Sequence, residues 1–245
     1  MKTALVTGGS KGIGLAVVKA FSEKGYRVIT CSRNGELWER AKSENEVLAG
    51  VEYHSVDISN PQQVESMFSK LRARNESLDV LVNNASPHLA SAGEFSTVDY
   101  DALKATIYDD FLGHAHCLKA GLALMERGGA VVNVSSVNGL RPTPNAAMYS
   151  AAKHAMEGLT RSVALEVIGK GIRVNAVAPG VTWTPRWEKK KEQNPNICEE
   201  VEKVVPAGRF ADPREIAKAI MWLCSDEASY VVGHTLVIDG GLSLQ

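Results

Sequence analysis

Thr7-Gly8-Gly9-Ser10-Lys11-Gly12-Ile13-Gly14 is the stretch on which the reading of this sequence turns. Three apolar residues, Ala4-Leu5-Val6, precede it, and Ile13-Gly14-Leu15-Ala16-Val17-Val18-Lys19-Ala20-Phe21 follows with helical patterning ended by Gly25. Strand, glycine turn and helix in that order open a βαβ unit. In such a unit the loop amides and the positive end of the helix hold a pyrophosphate. Gly8 permits the turn, Gly12 lets the backbone approach the phosphates, and Gly14 lets helix and sheet pack closely. Ser10, Lys11 and Ile13 complete the loop as cofactor-facing candidates. The spacing is GxxxGxG, not the GxGxxG of the general dinucleotide fingerprint.

Outward from this loop, β-branched apolar runs alternate with amphipathic stretches. The strand candidates are residues 4–6, 27–31, 51–56, 80–82, 130–134, 173–177 and 235–238. Their nearly continuous apolar character is that of strands covered on both faces. After Pro61, Val64, Met67, Phe68 and Leu71 fall at i, i+3, i+4 and i+7 of a helix. The expected fold is α/β: one Rossmann-like, doubly wound parallel sheet of seven strands with helices on both faces. A single domain over residues 1–245 is expected, with no linker and no internal repeat. Residues 181–205, with two tryptophans, two prolines and Glu188-Lys189-Lys190-Lys191-Glu192, read either as a solvated helix with flanking loops or as a substrate lid.

Composition narrows the function classes. A net charge of −1 leaves no basic surplus to expect nucleic acid or an anionic membrane as partner. At 44% apolar and 22% charged residues the chain is globular, and its length buries roughly 70–75% of the unfolded surface without staples. Cys31, Cys117, Cys198 and Cys224 form no CxxC pair, so reduced thiols and no metal site are expected. No stretch approaches the ~20 apolar residues of a membrane span, and no secretory apolar segment opens the chain. A cytoplasmic protein is expected.

The second strand ends Cys31-Ser32-Arg33-Asn34, with no carboxylate before Glu36. An acidic residue here would bind the ribose 2′-hydroxyl of NAD. Arg33 and Lys11 instead place two cations where a 2′-phosphate would lie, flanked by Ser32 and Asn34. NADP(H) is therefore the expected cofactor. Tyr149 and Lys153 lie one helical turn apart, and Ser136 follows the fifth strand candidate at the ligand-binding edge of the sheet. A free phenol is a poor acid–base group at neutral pH, but a nearby ammonium favours phenolate. A serine hydroxyl can hydrogen-bond a carbonyl oxygen and stabilise charge there.

These motifs together resemble the short-chain dehydrogenase/reductase family, of the NADP-preferring carbonyl reductase type, over essentially the whole chain. The match adds Asp57 after the third strand, Asn83-Asn84-Ala85 after the fourth, Tyr149-Ser150-Ala151-Ala152-Lys153, Pro179-Gly180 with Thr184, and Asp239-Gly240-Gly241. The resemblance implies that Asp57, with Ile58 beside it, contacts the adenine edge, and that Asn84 and Ala85 line the cofactor. It implies that Pro179, Gly180, Val181, Thr182 and Thr184 border the nicotinamide, and that Lys153, with Tyr149, also holds the nicotinamide ribose. A homotetramer or homodimer is implied as well.

Two departures stand out. Ser86 follows Asn-Asn-Ala where the family has glycine. Asp110 occupies the position, counted back from Lys119-Ala120-Gly121-Leu122 through Gly113, where the family places a relay asparagine. Asp110 either joins the proton relay or replaces the asparagine structurally.

The expected function is hydride transfer between NADPH and a carbonyl or alcohol substrate, with Ser136, Tyr149, Lys153 and Asp110 as the catalytic candidates. The rivals are enone reduction, dehydration or epimerisation on the same fold, and a non-catalytic NADP sensor. Ser86, His88, Asn138, Trp183 and Trp187 are the substrate-facing candidates; Trp183, Arg186 and Trp187 suit a planar or carboxylated substrate. His114, four residues after Asp110, is expected to pair with it at the surface. His114 and His116 do not share a helix face, so no metal is expected there. Trp222 is expected on the buried face of a late helix with Ile216, Ala219, Ile220 and Leu223.

Overall fold

The computed structural model describes residues 1–245 apart from 88 and 127. Seven strands, β1 (Thr3–Thr7), β2 (Arg27–Ser32), β3 (Glu52–Ser55), β4 (Val80–Asn83), β5 (Gly129–Val134), β6 (Ile172–Pro179) and β7 (Thr235–Ile238), form one sheet. Its order is β3-β2-β1-β4-β5-β6-β7, and every neighbouring pair is parallel. All seven strands read from the sequence are present, with β3 shorter and β6 longer than expected.

The helices of the described chain are α1 (Gly12–Glu23), α2 (Gly35–Ser43), α3 (Pro61–Ala73), α4 (Tyr100–Ile107), α5 (Gly113–Leu122), α6 (Ala147–Val167), α7 (Pro185–Gln193), α8 (Ile197–Val204) and α9 (Pro213–Cys224). A π turn over Tyr108–Leu112 joins α4 to α5. Strand residues alternate between two cores, as the period of two requires. Ala4, Val6, Val80, Val82, Ala130 and Val132 pack with α1 and α9, while Leu5, Leu81 and Val131 pack with α3 and α5. Each fully buried leucine or valine contributes roughly 2 kcal/mol of apolar burial.

Two readings need correction. Trp222 is 38% exposed, outside the buried face that Ile216, Ile220 and Leu223 share. It follows Ile216 by six residues, which turns it roughly 120° from that face. Residues 181–205 hold two helices, α7 and α8, rather than one helix with flanking loops. Val181, Trp187, Ile197 and Phe210 pack on Val137, Val201, Val205 and Leu242, a small core separate from the sheet's own.

Among the described residues no helix is long and apolar enough to cross a membrane, and no group of three or more His, Cys, Asp or Glu side chains is arranged to hold a metal ion.

Candidate active site

The loops after β1, β4, β5 and β6 meet at the carboxyl edge of the sheet, where the strand order switches direction between β1 and β4. Gly8 has φ +74° and Gly12 φ +58°, conformations that side chains disfavour. A Cβ on Gly14 would stand 2.2 Å from the Gly8 carbonyl oxygen, so only glycine lets α1 start this close to the loop. Ser10 is buried, Ile13 is half-buried and Lys11 is exposed at the start of α1.

Asn84 and Thr7 tie the β4 loop to this turn. Asn84 Nδ2 donates to the carbonyls of Thr7 at 3.0 Å and Gly8 at 3.3 Å. The Thr7 hydroxyl in turn accepts from the amides of Asn84 at 3.0 Å and Ala85 at 3.1 Å. The positioning role of Thr7 is signalled in the sequence only by a hydroxyl on the last residue of an apolar strand. No local signal marks the buried ladder in which Asn83 donates to Asn133 at 2.9 Å and Asn133 to Thr160 at 2.8 Å. Asn83 and Asn133 pair in register across β4 and β5, which only the sheet order reveals.

At the end of β2, Ser32 meets the Tyr53 hydroxyl at 3.2 Å, and Asn34 caps α2 by accepting from the Leu37 amide at 3.1 Å. Arg33 is 53% exposed, with Asp57 3.9 Å and Asp109 4.0 Å from one terminal nitrogen. Burial pushes the Asp109 carboxyl up, against the opposing pull of Arg33. Asp57 accepts from the amide and hydroxyl of Ser59 at 3.0 and 2.8 Å. The Ile58 side chain is buried in the core, against α5.

Beyond β6, a Cβ on Gly180 would lie 2.7 Å from the Asp239 Cα, so this strand end needs glycine. Buried Thr182 bridges to Ala211. Thr184 lies over the glycine loop, its Cγ2 3.2 Å from where a Gly12 Cβ would be. Residues 179–184 and the loop after β1 thus lie against each other at this edge of the sheet. Trp183 and Trp187 both pack edge-on against Phe210, with centroids 5.1 Å away in each case.

Lys153 is the centre of the remaining constellation. It stands on α6 one turn after half-buried Tyr149, its Nζ 5.5 Å from the Tyr149 ring centroid. Its side chain is 1% exposed and donates to the Val134 carbonyl at 3.2 Å, at the end of β5. Ser136, two residues further, accepts from the Asn138 amide at 3.2 Å. A Cβ on Gly139 would stand 2.9 Å from the Lys153 carbonyl, so this glycine admits α6 close to the β5 loop.

Asp110 projects from the π turn, 2% exposed, its Oδ1 3.6 Å from Lys153 Nζ. The Ser86 hydroxyl donates to the same oxygen at 2.7 Å. The two residues that depart from the family pattern are therefore hydrogen-bonded to each other. His88 lies outside the described residues.

His114 does not pair with Asp110. It is fully buried, and its Nε2 donates to the Ala85 carbonyl at 2.7 Å. The π turn between α4 and α5 changes the angular spacing, so residues four apart no longer stack. Burial, with help from the Lys153 charge, holds the His114 pKa down at about 3, so the ring is neutral. The unfolded chain binds this proton near pH 6.5, and the folded one does not. Stability from this site is complete above pH 6.5 and falls by up to about 1.4 kcal/mol per unit toward pH 3. Urea unfolding at pH 7 and pH 5 should show that loss in the native chain and a smaller one in His114→Gln; equal losses would remove His114 as the cause.

A family profile described as "Enoyl-(Acyl carrier protein) reductase" matches residues 8–243. The chain is 36% identical to 3-oxoacyl-[acyl-carrier-protein] reductase FabG of Chlamydia trachomatis serovar D, covering 99% of this chain and 97% of that one. It is 35% identical to carbonyl reductase family member 4 of Danio rerio, over 99% and 98% of the two chains. The solved structure described as ElxO with NADP bound superposes with a TM-score of 0.93 at 33% identity, over 100% of this chain and 99% of that one.

Proposed function

The chain belongs to the short-chain dehydrogenase/reductase family, and from that premise we infer that it is an NADP(H)-dependent oxidoreductase moving a hydride between the nicotinamide and a carbonyl or alcohol substrate. The observation that carries this reading is the buried Lys153 ammonium, one turn from Tyr149 and beside the Ser136 loop.

The residues at this edge of the sheet fit the cofactor. Gly12 carries no Cβ to fill the narrow gap to Thr184, and Arg33 has only long ionic contacts that leave its guanidinium available to a phosphate. The pyrophosphate would rest on residues 8–14, the 2′-phosphate on Arg33 and Lys11, and the adenine edge at Asp57 and Ile58. Asn84, Ala85 and residues 179–184 would border the nicotinamide, with Tyr149 and Lys153 on its ribose. When bound, NADPH supplies the hydride for reduction.

The protein's own residues handle the proton. Ser136 donates a hydrogen bond to the carbonyl oxygen, and the Tyr149 hydroxyl gives its proton to that oxygen as alkoxide charge develops. Lys153 stabilises the phenolate left behind. Asp110 is the counter-charge that keeps the buried Lys153 ammonium in place. Asp110→Asn should lower stability by about 2 kcal/mol and alter the pH profile of kcat; an unchanged profile would leave Asp110 a purely structural role.

Following NADPH absorbance across a panel of ketones and aldehydes tests the reading as a whole. Turnover is expected; tight cofactor binding with no turnover on any carbonyl would point to a non-catalytic binder. A homodimer or homotetramer working in the cytoplasm is also proposed. Trp222, Tyr230, Val237 and Leu244 are exposed apolar residues on or beside α9 and the edge strand β7, a surface suited to a second copy. Light scattering at micromolar concentration should report a dimer or larger, and a monomer would overturn this part.

A further inference from the structure

We propose that Arg186, assisted by Lys190, anchors an anionic group, a carboxylate, on the carbonyl substrate. The inference rests on the hydride-transfer reading and names the substrate class for it. Arg186 sits in the first turn of α7, where a cation is opposed by the helix dipole. Its Nη2 donates to the Pro87 carbonyl at 2.5 Å and reaches the Ser86 hydroxyl at 3.4 Å. Both partners are neutral, and no carboxylate lies within salt-bridge distance of Arg186 among the described residues.

Arg186 is also close to the reacting groups. Ser86 bridges it to Asp110, which in turn faces Lys153. The sole carboxylate in that chain, Asp110, already balances Lys153. One turn along α7, Lys190 lies 4.4 Å from the Trp187 ring centroid, and desolvation and the Arg186 charge hold its pKa below the usual lysine value. Among the described residues, buried Lys153 and half-buried Arg186 therefore stand near one carboxylate, Asp110, with His114 neutral and Lys190 exposed one turn further along α7. A substrate carboxylate would relieve that imbalance and replace the neutral carbonyl partner of Arg186 with a charge-assisted bond.

Trp183 and Trp187, by contrast, are committed to Phe210 and do not frame a slot for a planar ligand. Of the two substrate types the sequence allowed for this segment, the geometry favours the carboxylated one.

The test compares oxo acids of three to eight carbons with their methyl esters. In the native enzyme the acid of at least one pair should exceed its ester about tenfold in kcat/KM, and Arg186→Gln should lower that ratio about tenfold. Lys190→Gln should lower it by a smaller factor. Titrating the same acids into the protein with NADP+, read by fluorescence of Trp187 and its neighbours, gives a measure independent of turnover. Saturable binding that Arg186→Gln weakens is expected. No preference for acid over ester in any pair, no saturable acid binding, or equal loss on acid and ester in Arg186→Gln would overturn the proposal. Weakened NADPH binding with an unchanged acid-to-ester ratio would instead assign Arg186 to the cofactor phosphates. Failure of every carbonyl to turn over, with acid binding intact, would sink the hydride-transfer reading and leave the anion site standing.

Discussion

Tyr149→Phe should lower kcat for ketone reduction by roughly 10³-fold while NADPH still binds. The change removes one oxygen from a half-buried ring, so it opens little space and leaves the packing of α6 intact. What it removes is the proposed proton donor. Hydride arrival at the carbonyl carbon leaves negative charge on oxygen, and without the phenol that oxygen must be protonated from water. Lys153 cannot substitute, because its ammonium is buried and held between the Val134 carbonyl and Asp110. Single-turnover absorbance with saturating NADPH separates this loss from any change in cofactor affinity. Turnover surviving within tenfold of the native rate would exclude Tyr149 as the acid.

Arg33→Ala should weaken NADPH binding by about 10- to 100-fold, the size of a charged hydrogen bond, and leave NADH affinity within a few-fold. Two effects act in the same direction. The guanidinium proposed to face the 2′-phosphate is lost, and the carboxylates of Asp57 and Asp109, which Arg33 flanks at 3.9 and 4.0 Å, would be left to repel that phosphate. Because Arg33 is half exposed, the effect should shrink as salt is raised. Fluorescence titration of both nucleotides at low and physiological ionic strength measures the ratio. An unchanged NADPH-to-NADH preference would move the 2′-phosphate site away from Arg33.

Much of the architecture was legible in the chain itself because its signals are local. A parallel strand covered on both faces is mostly apolar, and β1, β2, β4, β5 and β6 are, with Asn83, Asn133, Arg173 and Asn175 as buried polar exceptions. A turn at positive φ needs glycine, which marks positions 8 and 12. The four-residue spacing of Tyr149 and Lys153 sets both on one helix face before any tertiary contact forms. Trp222 shows the limit of that logic: its apolar character in an amphipathic helix predicts burial, although its angular position turns it outward.

Spacing, then, determined the sheet, the glycine loop and the Tyr149–Lys153 pair, since backbone conformation and helical period act over a few residues. Only the tertiary structure decided that Ser86 bonds Asp110 across 24 positions, and that Arg186 reaches back 100 positions to Ser86. It also decided that His114 is buried and neutral, not a surface partner of Asp110. Those contacts depend on which strand lies beside which and on how far one π turn rotates a helix. Neither is written in any single segment, so the counter-charge of Lys153 and the cation at the mouth of the site emerge only when the crossovers bring distant loops to one edge of the sheet.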